Sequence, residues 1–164
     1  MRLLTSLLFP LYLQGQVTVF NEQFNSLAGW TISNANTNTF WIGTQPASPT
    51  GNCLFVSNGT GYGYNNTPTD MIIWKEFCTA GLNGYATLEY DIKVWGNNST
   101  CDSDYVSFVQ CMPYNNPYTF SNWTWNQGGH WCYWDTWTHM SYTFPPGTGF
   151  QNQQHLYFGW RWVN

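Results

Sequence analysis

Thr87-Leu88-Glu89-Tyr90-Asp91-Ile92-Lys93-Val94-Trp95 is the stretch that decides the fold class. Leu88, Tyr90, Ile92 and Val94 fall on one parity, and Thr87, Glu89, Asp91, Lys93 and Trp95 fall on the other. Apolar residues at a period of two mark a β-strand with one face on a core and the other in water. The pattern returns in residues 155–163, where Leu156, Phe158, Trp160 and Trp162 share a face. Outward from these two segments, shorter strands are expected at residues 17–24, 40–43, 54–57, 71–77, 105–111 and 137–144. Asn58-Gly59, Asn83-Gly84 and Pro145-Pro146-Gly147 supply turn chemistry between them. No segment carries the period of an amphipathic helix. Short strands separated by long polar loops predict an all-β fold, a jelly-roll β-sandwich of two antiparallel sheets.

Composition agrees with that class. Aromatic residues make up 20% of the 164, against 7% for charged ones, and the 43% apolar fraction argues against disorder. The net charge is −4 and no Lys/Arg cluster exists, which excludes a nucleic-acid partner and a polybasic membrane contact. Met1 and Arg2 precede an apolar run over residues 3–13 that is too short to cross a bilayer. Residues 1–16 are therefore expected to be a signal peptide, the alternative being a buried first strand or helix. Residues 17–164 would then be a single domain, secreted or held at the cell surface, with no membrane span. Asn-x-Ser/Thr triplets at Asn58, Asn65, Asn98 and Asn122 suit exposed loops, although an Asn- and Thr-rich chain generates them by chance.

Five cysteines in an exported chain suggest disulfides with one thiol left over. A strand over residues 105–111 would extend about 20 Å at ~3.3 Å per residue. The four residues before it cannot fold back over that length, so Cys111–Cys132 is expected in preference to Cys101–Cys111. No CxxC or Cys/His spacing indicates a metal centre.

Catalytic signatures are absent, and the chain is not expected to be an enzyme. His130, His139 and His155 are scattered and read as surface or loop residues, and Glu89 and Asp91 as a solvated pair on an outer strand face. Glu22 shares strand parity with Phe20 and Phe24, so its carboxylate needs a partner or a cation. A structural calcium ion would meet that need; a bulge turning Glu22 to solvent is the alternative. Asp102 and Asp104 allow the same two readings, as calcium ligands or as a polar turn. The segment after Cys111 holds Trp123, Trp125, Trp131, Tyr133, Trp134 and Trp137. Indole rings stack on the apolar C–H faces of sugars, and Asn122, Asn126, Gln127 and His130 could add hydrogen bonds. Trp123, Trp125, Trp131 and Trp134 are the candidate ligand-binding residues. Packing into the core is the competing reading.

Several segments in order resemble the choice-of-anchor J domains, relatives of the cleaved-adhesin and MAM-like jelly rolls. They are Phe20-Asn21-Glu22-Gln23-Phe24 followed by Gly29-Trp30-Thr31, Phe40-Trp41-Ile42-Gly43-Thr44 and Cys53-Leu54-Phe55-Val56-Ser57-Asn58-Gly59. Leu88-Glu89-Tyr90-Asp91, Asp104-Tyr105-Val106 and Leu156-Tyr157-Phe158-Gly159-Trp160 complete the set. The resemblance implies a jelly roll on exported bacterial proteins, with adhesive or ligand-binding roles and structural calcium in some relatives. The aromatic segment departs from that pattern, as does the lack of the family's closing acidic strand after Asn164. From these observations the chain is expected to be an extracellular, non-catalytic module for adhesion or glycan binding, its partner a neutral glycan or a cell-surface protein. The alternative is the N-terminal accessory domain of a secreted peptidase or glycosidase whose catalytic part lies outside this chain.

Overall fold

The computed structural model describes residues 18–44, 48–49, 51–94, 105–111, 115–125, 131–132 and 134–164, without the side chains of Phe120 and Trp125. The expected signal segment lies outside these residues, as do Asn98, Cys101, Asp102, Asp104, Asn126, Gln127, His130 and Tyr133. The protein is all-β. Its strands are β1 (Trp30–Ser33), β2 (Thr39–Thr44), β3 (Asn52–Ser57), β4 (Asp70–Phe77), β5 (Ala86–Val94), β6 (Tyr105–Cys111), β7 (Trp123–Trp125), β8 (Trp134–Phe144) and β9 (Leu156–Val163). A 3-10 turn, Phe120–Asn122, leads into β7.

Every ladder among the described residues is antiparallel. Five strands form one sheet in the order β1-β4-β9-β6-β7, while β2-β3 and β5-β8 are separate two-stranded sheets. Both small sheets cover the same face of the large one. The β5-β8 pair buries Ile92, Val94 and Phe144 against Phe108 and Leu156. The β2-β3 pair buries Phe40 against Met71, Ile73 and Trp162, and Trp160 touches both clusters. Alternation along β9 explains this, since Leu156, Phe158, Trp160 and Trp162 all point to that inner face. The opposite face has its own cluster of Ile72, Trp74, Val109, Cys111 and Trp123.

Several expectations need correction. The described part of residues 17–24 is not a strand. Phe24 takes a left-handed φ of 50° and its N–H donates to Glu22 Oε1 at 2.9 Å, which removes this segment from extended geometry. The edge strand begins instead at Trp30, after Gly29 with φ of 78°. Among the described residues the second layer of the sandwich consists of two hydrogen-bonded pairs, which lie side by side without a common ladder. β7 arises inside the aromatic segment, where Thr124 pairs with Gln110 and Trp123 with Cys111.

The Cys111–Cys132 bridge does not form. Cys111 keeps a buried thiol, whose Sγ donates to the Asn115 carbonyl at 3.9 Å. Cys111 pairs with Trp123 and faces the outer cluster of the large sheet. Cys132 follows Trp131, which bridges to Val106 and packs in the inner cluster. Val106 and Cys111 lie five residues apart along β6, so the bridge at Val106 holds this segment roughly 16 Å from Cys111, beyond disulfide reach. Cys132 is disulfide-bonded, and its partner lies outside the described residues.

Candidate functional site

A cleft of about 500 Å³ opens at the flank of the sandwich, between the end of β6 and the last residues of β8. Gln110 forms one wall; Ser141, Tyr142, Thr143 and Phe144 form the other, and Pro145, Thr148 and Phe150 close the end. Alternation in β8 turns Tyr142 and Phe144 toward the core, while Ser141 and Thr143 present hydroxyls on the exposed side. The turn after β8 is braced from both sides. Thr148 Oγ1 donates to the Pro145 carbonyl at 2.8 Å, and Gln151 Nε2 donates to the Phe144 and Pro145 carbonyls at 3.3 and 3.0 Å.

The floor is aromatic and continuous with the core. Phe144 stacks on Phe150 at 3.8 Å between centroids, Phe150 on Phe158 at 5.6 Å, and Phe158 meets Phe108 at 5.4 Å. Such a column holds the lining rings in place, because moving one displaces the next. Among the described lining residues, Tyr142 is the titratable group. Burial pushes its phenol up, and the neighbouring Tyr90 pulls it partly back. Tyr90 itself, deeper in the core, is pushed far above the usual phenol range by burial, with Tyr142 adding to the shift. The lining carries no charged side chain, and the Glu89 carboxylate lies beside it, accepting from Ser141 Oγ at 3.4 Å. The lining offers hydroxyls, an amide and ring faces, a donor set that binds by hydrogen bonding and stacking rather than by proton transfer.

Glu22 finds its partner within the chain. Lys75 Nζ lies 3.2 Å from Oε2, Trp30 Nε1 donates to the same oxygen at 3.0 Å, and the Phe24 N–H occupies Oε1. Lys75 also sits 4.7 Å from the Phe20 ring centre and 5.5 Å from that of Trp30, a cation–π arrangement. Burial raises the Glu22 carboxyl, but the hydrogen bonds from Trp30, Lys75 and Phe24 outweigh it and hold the group below its usual range. A calcium ion at Glu22 would have to displace Lys75. Among the described residues no group of three His, Cys, Asp or Glu side chains is placed to hold a metal.

The four candidate tryptophans do not form one exposed surface. Trp123 is buried in the outer cluster beside Trp74, at 5.9 Å between ring centres, and its Nε1 donates to the Pro117 carbonyl at 2.8 Å. Trp131 is buried on the opposite side of the sheet, against Tyr90 and Trp134. Trp134 is half-buried on that same inner cluster. Trp125 pairs with Val109 through its backbone, and its side chain lies outside the described set. The expectation of display is thus corrected for Trp123 and Trp131, whose rings complete two different cores. His139 and His155 are exposed, as read from the sequence, and make cross-strand contacts with Asp91 and Glu76.

Sequence reasoning missed Gln110, Tyr142, Phe144 and Phe150 as a group. Strand alternation predicts that Tyr142 and Phe144 face inward, but only the placement of β6 beside β8 shows that the inner face gapes at that end.

No protein-family model matches the chain, and no curated protein matches it. Among solved structures, it is similar to the enzymatically active domain of bacteriophage CBA120 tailspike protein 4, with a TM-score of 0.52 and 12% identity. The likeness covers 89% of this chain and 19% of that one, so the chain spans about a fifth of the tailspike domain's length. At that identity the likeness concerns the fold alone.

Proposed function

We propose that this chain is a non-catalytic recognition module that binds a neutral, polyhydroxylated ligand, a glycan, in the flank cleft. The observation that carries this reading is the chemistry of the lining. Gln110 and Thr148 flank the rings of Tyr142, Phe144 and Phe150, while Ser141 and Thr143 line the rim from the outer side of β8, their hydroxyls meeting Glu89 and Thr87; no lining side chain is a carboxylate, amine or imidazole. Sugars match such a site, since their hydroxyls exchange hydrogen bonds with side-chain hydroxyls and amides while their C–H faces pack on rings. Glycoside hydrolysis needs two carboxyl groups about 5 to 9.5 Å apart across the bond. The lining supplies none, which favours binding over turnover. Export to the cell surface and the likeness to choice-of-anchor J domains belong to the same proposal and supply its setting, adhesion.

One observation favours a second reading. The tailspike domain that shares the fold is described as enzymatically active and is several times longer than the matched region. The chain would then be an accessory domain that carries a catalytic partner to a polysaccharide. Both readings require glycan affinity in this chain, so one experiment tests their common ground. Native affinity electrophoresis through gels containing hydroxyethylcellulose, xyloglucan or galactomannan should retard the wild-type chain. Gln110→Ala and Tyr142→Phe should weaken that retardation without loss of fold. Wild-type mobility unchanged in every gel removes the proposal.

A further inference from the structure

The β2-β3 hairpin carries a second feature that the cleft does not use. Its inner face packs Phe40, Leu54 and Val56 on the core, so alternation sends Trp41 and Phe55 outward, directly opposite each other in the ladder. Trp41 is 44% exposed and Tyr62, from the following loop, is 55% exposed. The ring centres of Phe55 and Tyr62 lie 5.4 Å apart in an edge-on contact. Three aromatic side chains thus stand together on the solvent side of one small sheet.

These rings are held in place. Tyr62 Oη donates to the Thr44 carbonyl at 2.8 Å, and Trp41 Nε1 donates to the Ser57 carbonyl at 3.3 Å. Gly43 leaves room for Phe55, whose ring would lie 3.3 Å from any Cβ added there. The loop that delivers Tyr62 is closed by its own bonds, from Ser57 Oγ to the Gly61 carbonyl at 2.8 Å and from the Asn58 N–H to the Gly63 carbonyl at 3.0 Å. Ordering large side chains in water costs conformational entropy. Here much of that cost is met before any ligand arrives, as in a preorganised binding face. With their polar atoms engaged by the backbone, both exposed rings present chiefly their apolar surfaces outward.

Charge selects the occupant. No Asp, Glu, Lys, Arg or His occurs between Glu22 and Asp70, so the whole hairpin layer is free of formal charge. An anionic lipid surface would call for Lys or Arg beside the aromatics. Charged groups beside an interface are what steer and register many protein partners. What surrounds this patch is hydroxyl and amide: Thr44 Oγ1 donates to Asn52 Oδ1 at 3.2 Å, and Asn58 and Thr60 are exposed at the loop tip.

We propose that Trp41, Phe55 and Tyr62 form a stacking platform for the sugar rings of a neutral polysaccharide, a glycan contact distinct from the flank cleft. This proposal rests on the reading of the chain as a glycan-recognition module, but not on the cleft as its site. Two contacts on one rigid domain would engage separate stretches of a long polymer and raise its avidity.

The test uses the whole chain in the same hydroxyethylcellulose, xyloglucan and galactomannan gels. Trp41→Ala and Tyr62→Ala should each weaken retardation about tenfold, the loss of one stacked ring, with melting temperatures within about 3 °C of wild type. Tyr62→Phe keeps the ring but frees it from Thr44, and should lose a smaller part. Unchanged retention in both alanine variants overturns the platform, as does wild-type mobility unaltered by all three polymers. Loss confined to Gln110→Ala also overturns it and leaves the cleft standing; loss confined to the Trp41 and Tyr62 variants does the reverse. Binding to phosphatidylcholine vesicles without retention by any polymer overturns the proposal in favour of a lipid surface. Should Trp41→Ala fail to fold, wild-type Trp41 should resist oxidation by N-bromosuccinimide when the retaining polymer is present. Equal oxidation with and without polymer, read by peptide mass spectrometry, sinks the idea.

Discussion

Trp74 and Gly159 stand directly opposite each other in the β4-β9 ladder, and the close approach of their strands is possible only because residue 159 has no side chain. A Cβ at this position would lie 2.2 Å from the Ile73 carbonyl oxygen and 2.9 Å from Trp74 Cβ. Neither atom belongs to a flexible side-chain end. Above this point the Trp74 ring meets Trp123, Tyr118 and Tyr157 at 5.9, 5.4 and 5.4 Å, so one glycine underlies the outer aromatic cluster. Gly159→Ala is therefore expected to cost more than about 3 kcal/mol, the range of severe overpacking. Urea denaturation of the variant measures it; a cost below about 1 kcal/mol contradicts this geometry.

Trp123→Ala should behave as a core truncation. The ring is buried and its indole N–H is tied to the Pro117 carbonyl, so removal is expected to cost roughly 3–5 kcal/mol. Retardation by polysaccharide, corrected to the folded fraction, should not change. A variant of wild-type stability that has lost retention would instead return Trp123 to the role of a ligand contact.

Asn38 is fully buried and yet satisfied. Its Nδ2 donates to the Asn65 carbonyl at 3.1 Å and to Thr69 Oγ1 at 3.1 Å, while its Oδ1 accepts from the Asn65 N–H at 3.0 Å. Asn38→Ala strands several of these groups away from water, and about 2–4 kcal/mol of stability should be lost. Thermal denaturation reads the loss, and hydrogen exchange at the Asn65 amide should rise with it.

Glu22→Gln tests the ion pair with Lys75. The Glu22 carboxyl is held below its ordinary value of 4.5, so the pair contributes fully above that pH and is lost as pH falls through the lower, folded value. Urea midpoints between about pH 3 and pH 7 should thus decline on the acid side for wild type. In the glutamine variant, which cannot ionise, that limb should be shallower and the neutral-pH stability lower by about 1–2 kcal/mol. Parallel acid limbs would exclude Glu22 as a contributor.

Much of the strand framework was readable because each strand's alternation is local. Residues 105–111 were placed at both ends, and the alternation of β5 and β9 identified the residues that face the core. What escaped is non-local. Lys75 is the partner that Glu22 required, but 53 residues separate them, and nothing near Glu22 announces the pairing. Trp123 and Trp131 look alike in a loop-rich stretch, yet β7 carries one to the outer face while a bridge to Val106 carries the other to the inner face. Parity within a segment cannot say which side of a distant sheet the segment will reach. The flank cleft was hidden for the same reason, since it exists only where Gln110 and Tyr142 come together across the two layers.

β9 follows the other described strands in the chain, and it lies at the middle of the large sheet, bonded to β4 on one side and β6 on the other. On the ribosome, the strands flanking that position emerge first and wait for it. Until it arrives, Met71, Ile73 and Phe108 lack the neighbours that bury them, and β4 and β6 each expose an unpaired edge. Such a topology depends on pairings between distant residues, which form slowly. Vectorial synthesis therefore leaves a sticky, half-built sheet until the β9 segment has been made. Ribosome stalling before Leu156 should yield nascent chains that bind holdase chaperones and resist compaction, with release once Val163 has cleared the exit tunnel.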